Sequence, residues 1–203
     1  MTKAVGFIGL GVMGFPMAGH LSEHNNIAIF NRTKTKSEIW STKYKGKICS
    51  SPAEVAKISD VIILCVGDDN DVRDIVTGHQ GLLNNLKPES IIIDHTTTSA
   101  KLAKEMYELL NSNNVSYMDA PVSGGEVGAQ SGKLSIMVGG NKDAYNQIKN
   151  IISPYTRLIK YMGLSGSGQY TKMVNQICIA GLIQALAEGI NFSEKVGLDS
   201  KSV

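Results

Sequence analysis

Short apolar runs alternate with helical patterns along most of this chain. Seven runs have the length and β-branched content of strands: Val5–Leu10, Ile27–Asn31, Asp60–Val66, Ser90–Asp94, Val115–Asp119, Leu134–Val138 and Leu158–Met162. Apolar positions at helical spacing fall between them, over Met13–Glu23, Lys34–Tyr44, Pro52–Ile58, Ser99–Leu110 and Lys142–Ile152. Runs such as Val61-Ile62-Ile63-Leu64 and Ile91-Ile92-Ile93 are apolar at consecutive positions. A strand of that kind needs cover on both faces, so the alternation predicts a doubly wound α/β domain over residues 1–163.

The pattern then changes. Gly163, Gly166 and Gly168 predict a loop, and a single helix follows from about Gln169 to Lys195. It is apolar nearly all round from Met173 to Ile190, which a helix on a domain surface is not. Residues 164–203 are therefore expected to begin an all-α domain whose remainder lies outside this chain, or to be covered by another subunit in a homo-oligomer. Its longest charge-free stretch, Met173 to Ala187, is shorter than the ~20 residues that span a bilayer, and it contains Asn175, Gln176 and Gln184.

Composition narrows the partners. The 203 residues are 42% hydrophobic and 19% charged with a formal charge of +2, an ordinary soluble balance. Such a charge gives no support for a nucleic-acid or membrane partner. Cys49, Cys65 and Cys178 are odd in number, far apart and apolar in context, as reduced core thiols are. The first apolar run leads into glycines without a cleavage pattern, and a cytoplasmic location is expected.

The clearest candidate chemistry is Gly9-Leu10-Gly11-Val12-Met13-Gly14. This G-x-G-x-x-G follows a predicted strand and opens a predicted helix. The first glycine permits the turn, the second lets backbone approach a pyrophosphate, and the third lets helix pack on strand. The domain is accordingly expected to be Rossmann-type, with the phosphates at the helix N-terminus. An NAD site usually carries a carboxylate about 20 residues beyond the glycines, to accept from the ribose 2′-hydroxyl. Asn31-Arg32-Thr33 stands there instead, and Arg32 can hold a 2′-phosphate by charge-assisted hydrogen bonds. The expected cofactor is NADP(H), with NAD(H) as the alternative; the plainer account makes Arg32 and the lysines up to Lys47 a solvated face.

Three further segments offer chemistry. His20-Leu21-Ser22-Glu23-His24 fits H-x-x-E-H, but it ends the helix whose start should bind pyrophosphate, so no metal is expected there. Asp119-Ala120-Pro121-Val122-Ser123-Gly124-Gly125 follows a strand end, where open α/β sheets bind ligands. Its serine hydroxyl and backbone N–H groups suit a carboxylate, and a plain Pro-Gly turn accounts for the same residues. Gln169, Lys172, Asn175 and Gln176 share one face of the long helix. A lysine buried there by a cleft would have its pKa lowered toward a general acid or base, whereas a snorkelling lysine would not.

Together, Gly9 to Ala18, Asn31-Arg32-Thr33, Asp119 to Gly125 and Gly168 to Asn175 resemble the β-hydroxyacid dehydrogenase family, which includes 3-hydroxyisobutyrate dehydrogenase, tartronate semialdehyde reductase and glyoxylate/succinic semialdehyde reductase. The likeness covers the chain in order, and Gly128 to Leu134 extends it. It implies Lys172 as the catalytic proton donor and acceptor. It implies Ser123, Gly124 and Gly125 as holders of the substrate carboxylate, with Asn175 orienting the substrate. Thr96 matches a position near the nicotinamide, and Val66 one lining the cofactor. The implied reaction is hydride transfer between NADP(H) and a small 3-hydroxy or semialdehyde acid. His20 and Gln176 depart from the family, each standing where Asn is common, and relatives continue past Val203 into a helical domain that closes the site. The rival expectations are an imine reductase of the same fold and a non-catalytic NADP(H)-binding module.

Overall fold

The computed structural model describes residues 3–203. A nine-stranded sheet forms the centre, ordered β3-β2-β1-β4-β5-β6-β8-β7, with β9 pairing β8. The first six strands, β1 (Val5–Ile8), β2 (Ile27–Phe30), β3 (Lys47–Ile48), β4 (Val61–Leu64), β5 (Ile91–Asp94) and β6 (Ser116–Asp119), are parallel. The order reverses direction between β1 and β4, the switch point at which doubly wound sheets bind ligands.

Successive residues of the strands feed opposite layers. Val61 and Ile63 join one core with Phe7, Ile29, Met17 and Trp40. Ile62 and Leu64 join a second core with Ile8, Ile92, Leu102 and Leu110. Period-2 geometry applied to consecutive apolar residues thus builds both cores at once. Close packing also shows at Gly6, where a Cβ would lie 2.3 Å from Val55 Cγ1 on helix α3 (Pro52–Ile58).

The register sets up the functional edge. Ile8 pairs with Phe30 and with Leu64, Leu64 with Asp94, and Asp94 with Asp119. The carboxyl ends of five strands therefore stand in one row, and Gly9, Asn31, Cys65, His95 and Ala120 all leave the sheet along it.

The second half departs from a purely parallel sheet. β7 (Val122–Ser123) and β8 (Leu134–Gly139) pair antiparallel, β8 also meets β6 antiparallel at Asp119 and Gly139, and β9 (Thr156–Gly163) returns parallel to β8. The Pro-Gly segment is more than a plain turn: β7 runs straight into helix α6 (Gly125–Gln130). Helix α4 (Asp69–Thr77) was also not expected from apolar spacing, because only Val72 and Val76 of its residues are buried.

Helix α8 (Ser167–Lys195) has 29 residues and begins two residues earlier than the glycines predict, so that Gly168 lies within its first turn. Among its described residues only Gly168, Gln169 and Ser193 are buried. Ile177, Leu182, Ile183 and Leu186 are each at least 57% exposed, so the apolar surface read from the sequence is bare here. The charge-free stretch of α8 is shorter than a bilayer span. The whole helix, with a mean hydropathy of 1.4 over 18 residues, has the length and composition of one that could cross a membrane, and equally those of the core helix of a soluble protein. Cys49 is buried and Cys65 partly so, but Cys178, expected in a core, is exposed on α8.

Candidate functional site

The glycine-rich turn joins β1 to helix α1 (Gly14–Ser22). Gly9 adopts φ +99°, and a Cβ there would lie 2.1 Å from the Cys65 carbonyl oxygen. A Cβ on Gly14 would lie 1.9 Å from the Gly9 carbonyl oxygen, so only glycine lets the helix start this close to the strand. Gly11 differs: a Cβ there would meet nothing within 4 Å, because it faces open space. No side chain caps the start of α1; the Phe15 N–H is bonded to the Gly11 carbonyl at 2.9 Å and Pro16 has none, so the N–H groups that can meet an anion are those of the turn itself, from Gly11 to Gly14.

Asn31 braces this turn from β2. Its Oδ1 accepts from the Leu10 N–H at 2.8 Å, and its Nδ2 donates to the Thr33 carbonyl at 3.0 Å. The open space over Gly11 belongs to a cavity of about 460 Å³ that Gly9, Gly11, Asn31, Arg32, Thr33 and Val66 help to line. These are six of the eleven cofactor positions expected from the sequence. Leu10 and Gly14 are buried beneath the turn, while Val12 is 65% exposed at its tip and Met13 immediately precedes α1. The cavity fits a dinucleotide: a backbone floor without side chains, a helix start beside it, and a cationic side chain at the end of β2.

Asp71, Ile75, His79 and Gln80 also line the cavity, and sequence analysis missed them. The available signal was Asp68-x-x-Asp71 directly after a predicted strand, a helix-start pattern. Asp68 caps α4 by accepting from the Asn70 and Asp71 N–H groups.

Thr96 lies buried one strand over, its hydroxyl accepting from the Val66 N–H at 3.1 Å. Thr96 also connects the cofactor edge to α8. Gln169, 1% exposed, donates through Nε2 to the Thr96 carbonyl at 2.8 Å and accepts from the Thr98 N–H at 3.2 Å. Asp119 completes the anchor: Oδ1 accepts from the Gly166 N–H at 2.8 Å and Oδ2 from the Gln169 N–H at 3.0 Å. Burial raises the Asp119 pKa, and the backbone N–H bonds work in the opposite direction. The first turn of α8 is thus bonded to the ends of β5 and β6.

Lys172 follows Gln169 by three residues and is partly buried, and burial lowers its pKa from the ordinary lysine value. Asn175, also partly buried, donates to Gln176 Oε1 at 3.1 Å. Ser123 is partly buried on β7, while Gly124 (φ +134°) and Gly125 (φ +60°) are exposed at the start of α6. Ser123 pairs with Ser135 of β8, the strand against which α8 begins, and a Cβ on Gly168 would lie 2.5 Å from the Met137 carbonyl oxygen. Neither Ser123–Gly125 nor Lys172 and Asn175 line the dinucleotide cavity; Ser123 pairs with β8, and Lys172 and Asn175 follow on the helix that begins against that strand.

Below this edge lies a buried polar layer that sequence analysis also missed. His95 Nδ1 donates to the Ala120 carbonyl at 2.6 Å, so Nε2 is the ring acceptor and takes the Tyr155 hydroxyl at 2.8 Å. Burial lowers the His95 pKa to about 4 and keeps the ring neutral. Asp94 accepts from Tyr117 and from the Thr96 N–H at 2.9 Å, while burial raises its pKa to about 6. These bonds hold the β5 end that carries Thr96.

The H-x-x-E-H segment does not assemble as a metal site. Helix α1 ends at Ser22, His24 is exposed beyond it, and His20 Nε2 lies 3.1 Å from the Ala129 and Gln130 carbonyls of α6. Among the described residues, no group of three or more His, Cys, Asp or Glu side chains is placed to hold a metal ion.

Fold and cavity together define a dinucleotide-binding domain of Rossmann type. Residues 4–163 match the NAD binding domain of 6-phosphogluconate dehydrogenase. An uncharacterized oxidoreductase of Shewanella frigidimarina is 45% identical, over 98% of this chain and 69% of its own length. The 3-hydroxyisobutyrate dehydrogenase of Mycobacterium tuberculosis, solved with L-serine, superposes with TM-score 0.92 at 30% identity, over 98% of this chain and 67% of that one. Psf3, solved with NADP+ and 2-OPP, gives TM-score 0.88 at 26% identity, over 98% of this chain and 70% of that one. The chain belongs to the family of 3-hydroxyisobutyrate dehydrogenase-related oxidoreductases, and it spans the N-terminal two thirds of their length.

Proposed function

We propose that this chain carries the cofactor site and the proton-transfer residue of an NADP(H)-dependent dehydrogenase acting on a small 3-hydroxy or semialdehyde acid. The observation that carries this reading is the anchoring of α8: Asp119 and Gln169 bond its first turn to the strand ends beside the cofactor loops, and Lys172 stands on the next turn, three residues beyond Gln169. Bound NADPH supplies the hydride. Gly9–Gly14 and the start of α1 hold its pyrophosphate, Arg32 and Thr33 its 2′-phosphate, and Val66 and Thr96 flank the nicotinamide end.

The residues around β8 supply the rest. Ser123 and the N–H groups of Gly124 and Gly125 hold the substrate carboxylate, and Asn175 orients the carbonyl. Lys172, with its ammonium made more acidic by burial, gives a proton to the carbonyl oxygen as hydride arrives, and takes it back in the reverse direction. A panel of small semialdehyde acids, followed by loss of reduced-nicotinamide absorbance, tests this: at least one is reduced, and faster with NADPH than with NADH. Failure of every compound with both cofactors contradicts the assignment.

A further inference from the structure

The loops after β2 and β4 flank the glycine turn after β1, and one ion pair joins them. Arg32 Nη1 lies 2.8 Å from Asp71 Oδ1, and both residues line the dinucleotide cavity. The partners are unequally free. The Arg32 side chain is 83% exposed and swings on a long stem, whereas that of Asp71 is 27% exposed. Asp71 sits in the first turn of α4, and its Oδ2 also accepts from the Gly67 N–H at 3.2 Å. The carboxylate is therefore fixed at the cavity wall, and the guanidinium has come to it.

We propose that Asp71 is a cofactor-discriminating residue: its carboxylate holds Arg32 across the dinucleotide cavity and disfavours a cofactor bearing a 2′-phosphate. This rests on the reading above that Arg32 receives that phosphate. Among the described residues only Nη1 of Arg32 is engaged, so binding makes the guanidinium share itself between carboxylate and phosphate, and it brings a phosphate dianion toward the Asp71 carboxylate at the cavity wall. A cofactor with a free 2′-hydroxyl meets neither cost. Asp71 thus tempers the preference that Arg32 creates, and the pair sets the ratio of the two affinities.

The test is titration of the purified chain with NADPH and with NADH, read by nicotinamide fluorescence, for wild type, Asp71→Asn, Arg32→Ser and the double variant. Asp71→Asn keeps an oxygen for the Gly67 N–H, removes the charge and replaces the oxygen that holds Arg32 with an amide donor. It tightens NADPH binding by about threefold, the scale of a surface ion pair, and changes NADH binding less. Arg32→Ser weakens NADPH by roughly tenfold, the scale of a charge-assisted hydrogen bond, and abolishes the gain from Asp71→Asn. Unchanged or weaker NADPH binding in Asp71→Asn, or equal tightening of both cofactors, overturns the proposal. If Arg32→Ser weakens NADPH while Asp71→Asn does not tighten it, Asp71 alone loses its role. If Arg32→Ser leaves NADPH binding intact, the phosphate assignment falls and the inference falls with it.

Discussion

Lys172→Ala lowers turnover by about a hundredfold to ten-thousandfold, the range of one general acid–base group. NADPH affinity stays near that of the wild type, because Lys172 lies outside the dinucleotide cavity. On the proposed role the effect concentrates in the chemical step, because the lysine proton would neutralise an oxygen that becomes negative only as hydride arrives. Burial lowers the Lys172 pKa, so the alkaline limb of carbonyl reduction falls at a lower pH than an ordinary lysine would give. Above that limb the lysine is neutral and has no proton to donate; below it the acid is in place. Steady-state rates across pH, set beside NADPH titrations, check both statements. Unchanged turnover in Lys172→Ala refutes the role.

Asp119→Ala frees the start of α8. It leaves the Gly166 and Gln169 N–H groups without their acceptor inside the protein, a loss of about 3 kcal/mol for two bonds to a charged group. The raised Asp119 pKa marks the desolvation already incurred by burying that carboxylate, which offsets part of the loss. Asp119→Asn keeps one acceptor oxygen and costs less. Urea denaturation measures the stability, and amide hydrogen exchange over residues 166–172 measures the docking. Faster exchange there, ahead of global unfolding, is the expected result. Protection equal to the wild type shows that other contacts hold the helix.

The sequence made legible what short-range pattern controls. Consecutive apolar residues such as Val61 to Leu64 announce a strand buried on both faces, and the structure divides them between two cores. Gly9 and Gly14 are readable because each serves a local steric need, Gly11 because the pattern leaves the floor of the turn bare, and Asn31-Arg32-Thr33 because it follows at a set distance. What stayed hidden is long-range. No spacing shows that Asp119 accepts from residues 47 and 50 positions away, or that Gln169 reaches back to Thr96. Helical spacing places Gln169 with Lys172 on one face, but carries no sign of its bond to the β5 end. The antiparallel β7 hid because two residues give no period. The Arg32–Asp71 pair joins loops on either side of β1, which sequence separates by an entire βαβ unit.

Hydride transfer itself is the central claim, and NADPH carrying deuterium at the transferable C4 position tests it most directly. With the best substrate of the semialdehyde panel, mass spectrometry should find the hydroxy acid one deuterium heavier, with the label on the carbinol carbon. Tight NADPH binding without any labelled product contradicts the account and makes the chain a cofactor-binding module instead.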